Sequence, residues 1–140
     1  MEAEIILKRI RQVSQLFITA MSVFSLVALA SCVVTFTATG KASIFGYRVM
    51  WVRTPSMEPA IMTGDFVLVK TATERDVDVG DIVVYRKTDS RGRPSHYRII
   101  HRITALTEDG NFILKGDNNP SPDKLEVTPD QVEYKAVYVF

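Results

Sequence analysis

The chain has 140 residues, 46% of them hydrophobic, and a formal net charge of +1 from 17 basic and 16 acidic side chains. That length suits one compact domain plus an anchoring segment. Interspersed acids and bases give no clustered basic face for nucleic acid, and a single cysteine, Cys32, excludes an intrachain disulfide and a Cys/His metal cluster.

Residues 1–15 carry Lys8, Arg9 and Arg11 among Ile5, Ile6, Leu7, Ile10 and Val13, a spacing that fits one helical face. From Leu16 to Phe36 there is no charged residue. At about 1.5 Å per residue this run covers roughly 30 Å, the thickness of a bilayer's hydrocarbon core. It predicts a membrane anchor over 16–37. A cleaved secretory signal with Ala28-Leu29-Ala30 as its small-x-small site is the competing reading, but the apolar run continues through Cys32-Val33-Val34. A buried core helix would rarely be apolar on every face. Basic residues before the segment favour a cytoplasmic start, although Lys41, Arg48 and Arg53 after it make the asymmetry shallow.

Residues 38–46 read as a linker with Gly40 as helix stop. From residue 47 to 140 the pattern is β. Strands are expected at Tyr47–Val52, Phe66–Lys70, Asp81–Arg86, Tyr97–Ala105, Asn111–Lys115 and Val132–Phe140, each rich in Val, Ile, Tyr or Phe and bounded by turn residues. Asp109-Gly110 between two of these runs signals a hairpin. Thr88–Ser95 reads as an exposed polar loop, with His96 a solvated residue at its end. The fold class is therefore mainly β: an N-terminal transmembrane helix, then antiparallel strands in two packed or partly coiled sheets.

One stretch carries most of the chemical information. In Arg53-Thr54-Pro55-Ser56-Met57-Glu58-Pro59 the two prolines hold Thr54 and Glu58 extended, so Ser56 sits on a short, stiff element after a strand. A hydroxyl oriented in advance suits a nucleophile, whereas a serine between prolines is also an ordinary turn residue. Within Tyr97–Ala105, Ile99, His101 and Ile103 share one face and Arg98, Ile100 and Arg102 the other. Such a histidine is more often a satisfied core residue than a base. Asp117 and Asp123, in Gly116-Asp117-Asn118-Asn119-Pro120-Ser121-Pro122-Asp123, have the ordinary roles of a turn former and a loop acid. Asp65 and Asp81 follow glycines and read as turn acids.

Taken in order, Ser56-Met57-Glu58-Pro59, Gly64-Asp65, Gly80-Asp81-Ile82-Val83-Val84-Tyr85, Ile100-His101-Arg102-Ile103 and Lys115-Gly116-Asp117-Asn118-Asn119 resemble the type I signal peptidases that pair serine with histidine, known from the endoplasmic reticulum, archaea and some Gram-positive bacteria. Each piece is weak alone; the ordered set is specific. The resemblance implies a membrane-bound serine endopeptidase acting on preproteins with signal peptides, with its β domain on the extracytoplasmic side and no metal or cofactor. It implies Ser56 as nucleophile and His101 as base. Asp123 is favoured over Asp117 as the acid that orients His101, with the choice open. Neutral imidazole accepts a proton near neutral pH without special burial. The Ser56 backbone N–H and the Thr54 hydroxyl are the expected oxyanion donors.

The same resemblance leaves three matters open. The chain ends in the apolar run Val137–Phe140, where many such relatives continue into a second membrane segment; a truncated chain and a single-anchor enzyme both fit. Trp51, Met57, Ile61, Met62 and Phe66 are candidates for an exposed surface resting in the lipid interface, with ordinary core as the alternative and as the favoured reading for Phe66. A processing peptidase with a dedicated substrate and a non-catalytic anchored scaffold are the rival functions.

Overall fold

The computed structural model describes residues 2–39, 42–88 and 93–140. The chain divides into two compact units, 1–46 and 47–140.

The first unit is built on one long helix, α1 (Glu2–Thr39). It is helical from its start, so the basic residues of the amino end lie on the same helix as the apolar run. Over Glu2–Ala38 it is long and apolar enough to cross a membrane. Hydroxyls inside such a helix need partners in a medium without water. Ser14, Thr19, Ser22 and Thr35 each donate back to the carbonyl four residues earlier, at 2.5 to 2.9 Å. Within the apolar run, the hydroxyls of Thr19, Ser22 and Thr35 are thus satisfied inside the helix itself. The expected stop at Gly40 lies outside the described residues.

The second unit is one six-stranded antiparallel sheet in the order β1-β2-β6-β3-β4-β5. Its strands are β1 (Tyr47–Trp51), β2 (Phe66–Thr71), β3 (Ile82–Thr88), β4 (Pro94–Leu106), β5 (Phe112–Lys115) and β6 (Val132–Val139). The mainly β expectation holds, but the two sheets expected from sequence are one. The cause is β6, which returns to the middle and bonds to β2 on one side (Val67↔Val139) and β3 on the other (Val83↔Lys135). Irregularities in register at Leu68/Val69, Val84/Tyr85 and Ile103/Ala105 interrupt the ladders. Such bulges bend a sheet and increase its twist.

The sheet buries apolar residues on both faces. Val83, Tyr85, Ile103 and Leu114 join one cluster, while Val84, Val67, Val69 and Tyr134 join the other with Met57 and Ile61. Residues 83 to 85 therefore alternate between the two clusters, which is the period-two rule applied to a strand covered on both sides. The Asp109-Gly110 hairpin forms as the dipeptide predicts. Gly110 has φ 79° and donates to Thr107 O, while Thr107 N–H donates to Asn111 O. β4 begins earlier than expected, because Thr88 pairs with Pro94. His96 thus belongs to a strand and not to the end of a loop; residues 89–92 are outside the described set.

Candidate active site

The element carrying Ser56 is held at both ends. Val52 N–H donates to Asp65 O and Gly64 N–H to Val52 O, continuing the β1–β2 pairing past Trp51. Thr54 and Glu58 are extended, at φ −132°, ψ 149° and φ −64°, ψ 143°, as residues before proline should be. Between them Pro55–Met57 makes one 3-10 turn, closed by Glu58 N–H on Pro55 O at 3.1 Å. Met57 is fully buried, which anchors the turn and leaves Ser56 half-buried beside it. Ser56 Oγ lies 3.5 Å from Thr54 Oγ1.

His101 comes from β4, paired with Val83 of β3, and is 6% exposed. Its Nδ1 is 2.7 Å from Asp123 Oδ2. A carboxylate only accepts, so Nδ1 carries the proton and Nε2 is the free nitrogen. Asp123 is held in turn by its own N–H on Leu114 O and by the Tyr85 hydroxyl, which donates to Oδ2 at 2.8 Å. Burial disfavours the charged Asp123 carboxylate, but hydrogen bonds from His101 and Tyr85, with the charges of His101 and Lys87, outweigh it and keep its pKa below the usual carboxylate value.

Asp117 has a different partner. Arg102 clamps it with two bonds, Nε to Oδ1 at 2.9 Å and Nη2 to Oδ2 at 2.6 Å, and donates from Nη1 to Gly80 O. The Arg102 hydrogen bonds lower the Asp117 pKa against an opposing contribution from burial. The two acids that sequence left as alternatives are thus separated: one faces imidazole and the other guanidinium.

The turn that contains Asp117 joins the two halves of the site. Asn118 N–H donates to Ser56 O at 2.9 Å and its side chain Nδ2 to Pro55 O at 3.1 Å. A Cβ at Gly116 would lie 2.5 Å from Ser56 O, 2.7 Å from Asn119 Nδ2 and 2.9 Å from His101 Nε2. The free imidazole nitrogen and the Ser56 main chain therefore flank the same glycine, and only a residue without a side chain fits between them. Among the described residues, no hydrogen bond links Ser56 Oγ to His101 Nε2; hydrogen bonds of this kind often tighten only when substrate arrives.

A groove of about 490 Å³ opens beside Ser56. Met50, Val52, Thr54, Val84, Arg98 and Ile100 are among the residues that line it. Of the five residues considered for an exposed apolar surface, Met57 and Ile61 are fully buried and belong to the core. Trp51, Met62 and Phe66 are exposed, which also corrects the core reading of Phe66. Trp51 and Phe66 stand opposite each other, and Leu68 pairs with Tyr138. Phe140 N–H donates to Phe66 O. Trp51, Phe66, Tyr138 and Phe140 consequently share the face turned away from Val67, with the Tyr138 and Phe140 rings 5.0 Å apart.

Sequence reasoning missed Tyr85, Arg102, Asn118 and Gly116 as parts of the site. The signal for Tyr85 was present: once β3 and β4 are paired through Val83↔His101, period two puts Tyr85 on the histidine's face. Asn118 gave no comparable signal, because its side-chain bond to Pro55 O spans 63 residues.

The six-stranded antiparallel sheet fits the fold of the S24-like peptidases. The chain belongs to the Peptidase S24-like family, whose pattern matches residues 38–139. It is 31% identical over 116 residues to signal peptidase I W of Bacillus subtilis (strain 168), covering 79% of this chain and 58% of that protein. It is also 37% identical over 73 residues to the signal peptidase complex catalytic subunit SEC11C of Homo sapiens, covering 49% of this chain and 35% of that protein. The resemblance to type I signal peptidases drawn from motif order holds. The chain spans between about a third and three fifths of the length of these relatives.

The two depressed carboxylates have a consequence for stability. A carboxyl with a lower pKa folded than unfolded stabilises the fold above its unfolded pKa, and that contribution is lost as pH falls through the folded value. Asp117 and Asp123 both behave this way. Denaturant midpoints followed by circular dichroism should fall progressively below about pH 4. A midpoint that stays constant down to about pH 2 would contradict the lowered pKa values of the two acids.

Proposed function

We propose that this chain is a membrane-anchored serine endopeptidase that removes signal peptides from exported preproteins. The observation that carries the reading is the 2.7 Å contact between Asp123 and His101 Nδ1, with Nε2 left beside Gly116 and the Ser56 main chain. Membership of the S24-like family and the likeness to signal peptidases support this reaction class and substrate.

In this mechanism the substrate lies extended in the groove beside Ser56. Ser56 Oγ attacks the scissile carbonyl carbon while His101 Nε2 takes the hydroxyl proton. Asp123 fixes the imidazole tautomer and faces the positive charge that develops. His101 then gives the proton to the leaving amine, which departs with the mature chain. Water, deprotonated by the same nitrogen, hydrolyses the acyl bond at Ser56. Backbone N–H of Ser56 and the Thr54 hydroxyl stabilise the oxyanion. The exposed Trp51, Phe66, Tyr138 and Phe140 rest in the interfacial layer of the outer leaflet, where amphipathic rings are favoured.

The reading is tested by reconstituting the full chain in vesicles with a preprotein and sequencing the product's new amino end. One cut behind small side chains is expected. Processing of a single precursor and no others would favour the dedicated peptidase, and binding without any cut would favour the scaffold. Thr54→Val should lower kcat by roughly tenfold to a hundredfold with an unchanged fold, because one polar donor to the oxyanion is removed. Unchanged turnover would take Thr54 out of the mechanism.

A further inference from the structure

Tyr85 is 1% exposed, yet its hydroxyl is not spent on a backbone carbonyl. It donates at 2.8 Å to Asp123 Oδ2, the oxygen that also accepts from His101 Nδ1 at 2.7 Å. Two donors therefore share one carboxylate oxygen, and one of them comes from a residue buried in the core. The phenol and imidazole rings lie 6.4 Å apart and are tilted by 51°, so they approach the acid from different directions.

We propose that Tyr85 is a positioning residue that sets how strongly Asp123 holds and charges His101. Resting on the proposed Ser56–His101–Asp123 mechanism, the inference deepens it by adding a fourth member. A phenol donating to a carboxylate withdraws part of its negative charge, so the carboxylate stabilises imidazolium less. The same bond stops the carboxylate from rotating away from Nδ1. Burial, followed by the bond to Asp123, pushes the Tyr85 phenol well above its ordinary range, so it stays protonated and a donor where a histidine titrates.

Few other charges act on this group. Asp117 senses His101 but is clamped by Arg102, with Lys115 also near it, and Lys87 faces Asp123. None of them donates to the shared oxygen. Deleting the Tyr85 hydroxyl therefore returns the full carboxylate charge to His101 without a substitute donor from the protein.

The test is Tyr85→Phe in the full chain in detergent micelles, which keeps the ring and removes only the oxygen. Two readouts are taken. The imidazole titration of His101 is followed by NMR and assigned with His101→Ala. The pH profile of kcat/KM is measured on a preprotein. The expected result is an upward move of the His101 titration by about half a pH unit to one unit, with the acid limb of kcat/KM moving in step. A His101 titration unchanged from wild type would overturn the proposal and leave Tyr85 as core packing only. The NMR readout needs no turnover, so a wild-type chain that cleaves nothing would defeat the peptidase reading while still deciding the role of Tyr85.

Discussion

Replacing Ser56 or His101 by alanine is expected to lower kcat/KM on a preprotein by roughly 10⁴- to 10⁶-fold, each to nearly the same residual rate. The two losses should match because the serine hydroxyl is a poor nucleophile until a base takes its proton, and the histidine's later delivery of that proton to the leaving amine depends on the same attack. The residual rate comes from substrate binding and the oxyanion donors, which neither change removes. The fold should survive both. Ser56 is half-buried on the groove side, and the Met57 anchor and the Asn118 bonds use atoms other than the Ser56 hydroxyl. His101→Ala leaves a small void and frees Asp123, which still has Tyr85 and keeps access to water. Circular dichroism should therefore match wild type in both variants. Retention of more than about a tenth of wild-type activity in either one would be incompatible with acyl transfer at Ser56.

Asp123→Asn should cost about 10⁴-fold in kcat, following the loss expected when an orienting acid becomes an amide that can present its own N–H to imidazole and favour the wrong tautomer. Asp117→Asn should behave differently. Its partner is Arg102, so the change weakens the turn that bonds to Ser56 O through Asn118 without touching His101. A loss within about tenfold, accompanied by lower stability, is expected there, since removing one partner leaves a part-buried guanidinium uncompensated. Reversal of the two effects would exchange the roles of the acids.

Much of the fold was legible because period-two alternation and turn residues are local signals. All six strands were located within a few residues, as was the Asp109-Gly110 hairpin. The single sheet was not legible, since nothing local says that β6 returns to lie between β2 and β3. The same limit applied to side chains. Met57 and Ile61 look like Met62 and Phe66 in sequence. Only the turn at Pro55–Met57 and the bond from Ile61 N–H to Met57 O turn the first pair inward.

The site divides along similar lines. Ser56 and His101 stood out by their setting, one between prolines and the other inside an apolar strand. Asp117 and Asp123 could not be ranked from residue type, because both lie in one polar segment. Their separation depends on which side chain each meets, and that is decided by β4, which presents His101 and Arg102 to opposite faces. Gly116 carries no chemistry of its own. Its role appears only when Ser56 O and His101 Nε2 converge on the space a Cβ would fill.

Central to the account is that Ser56 and His101 act as one unit, and a four-way comparison tests it most directly. Wild type, Ser56→Ala, His101→Ala and the double variant are assayed side by side on one preprotein in vesicles. Three variants falling to a common residual rate is the predicted result, because a unit broken once is not broken further. Partial losses that multiply in the double variant would contradict it, since they would mean that the serine and the histidine contribute independently.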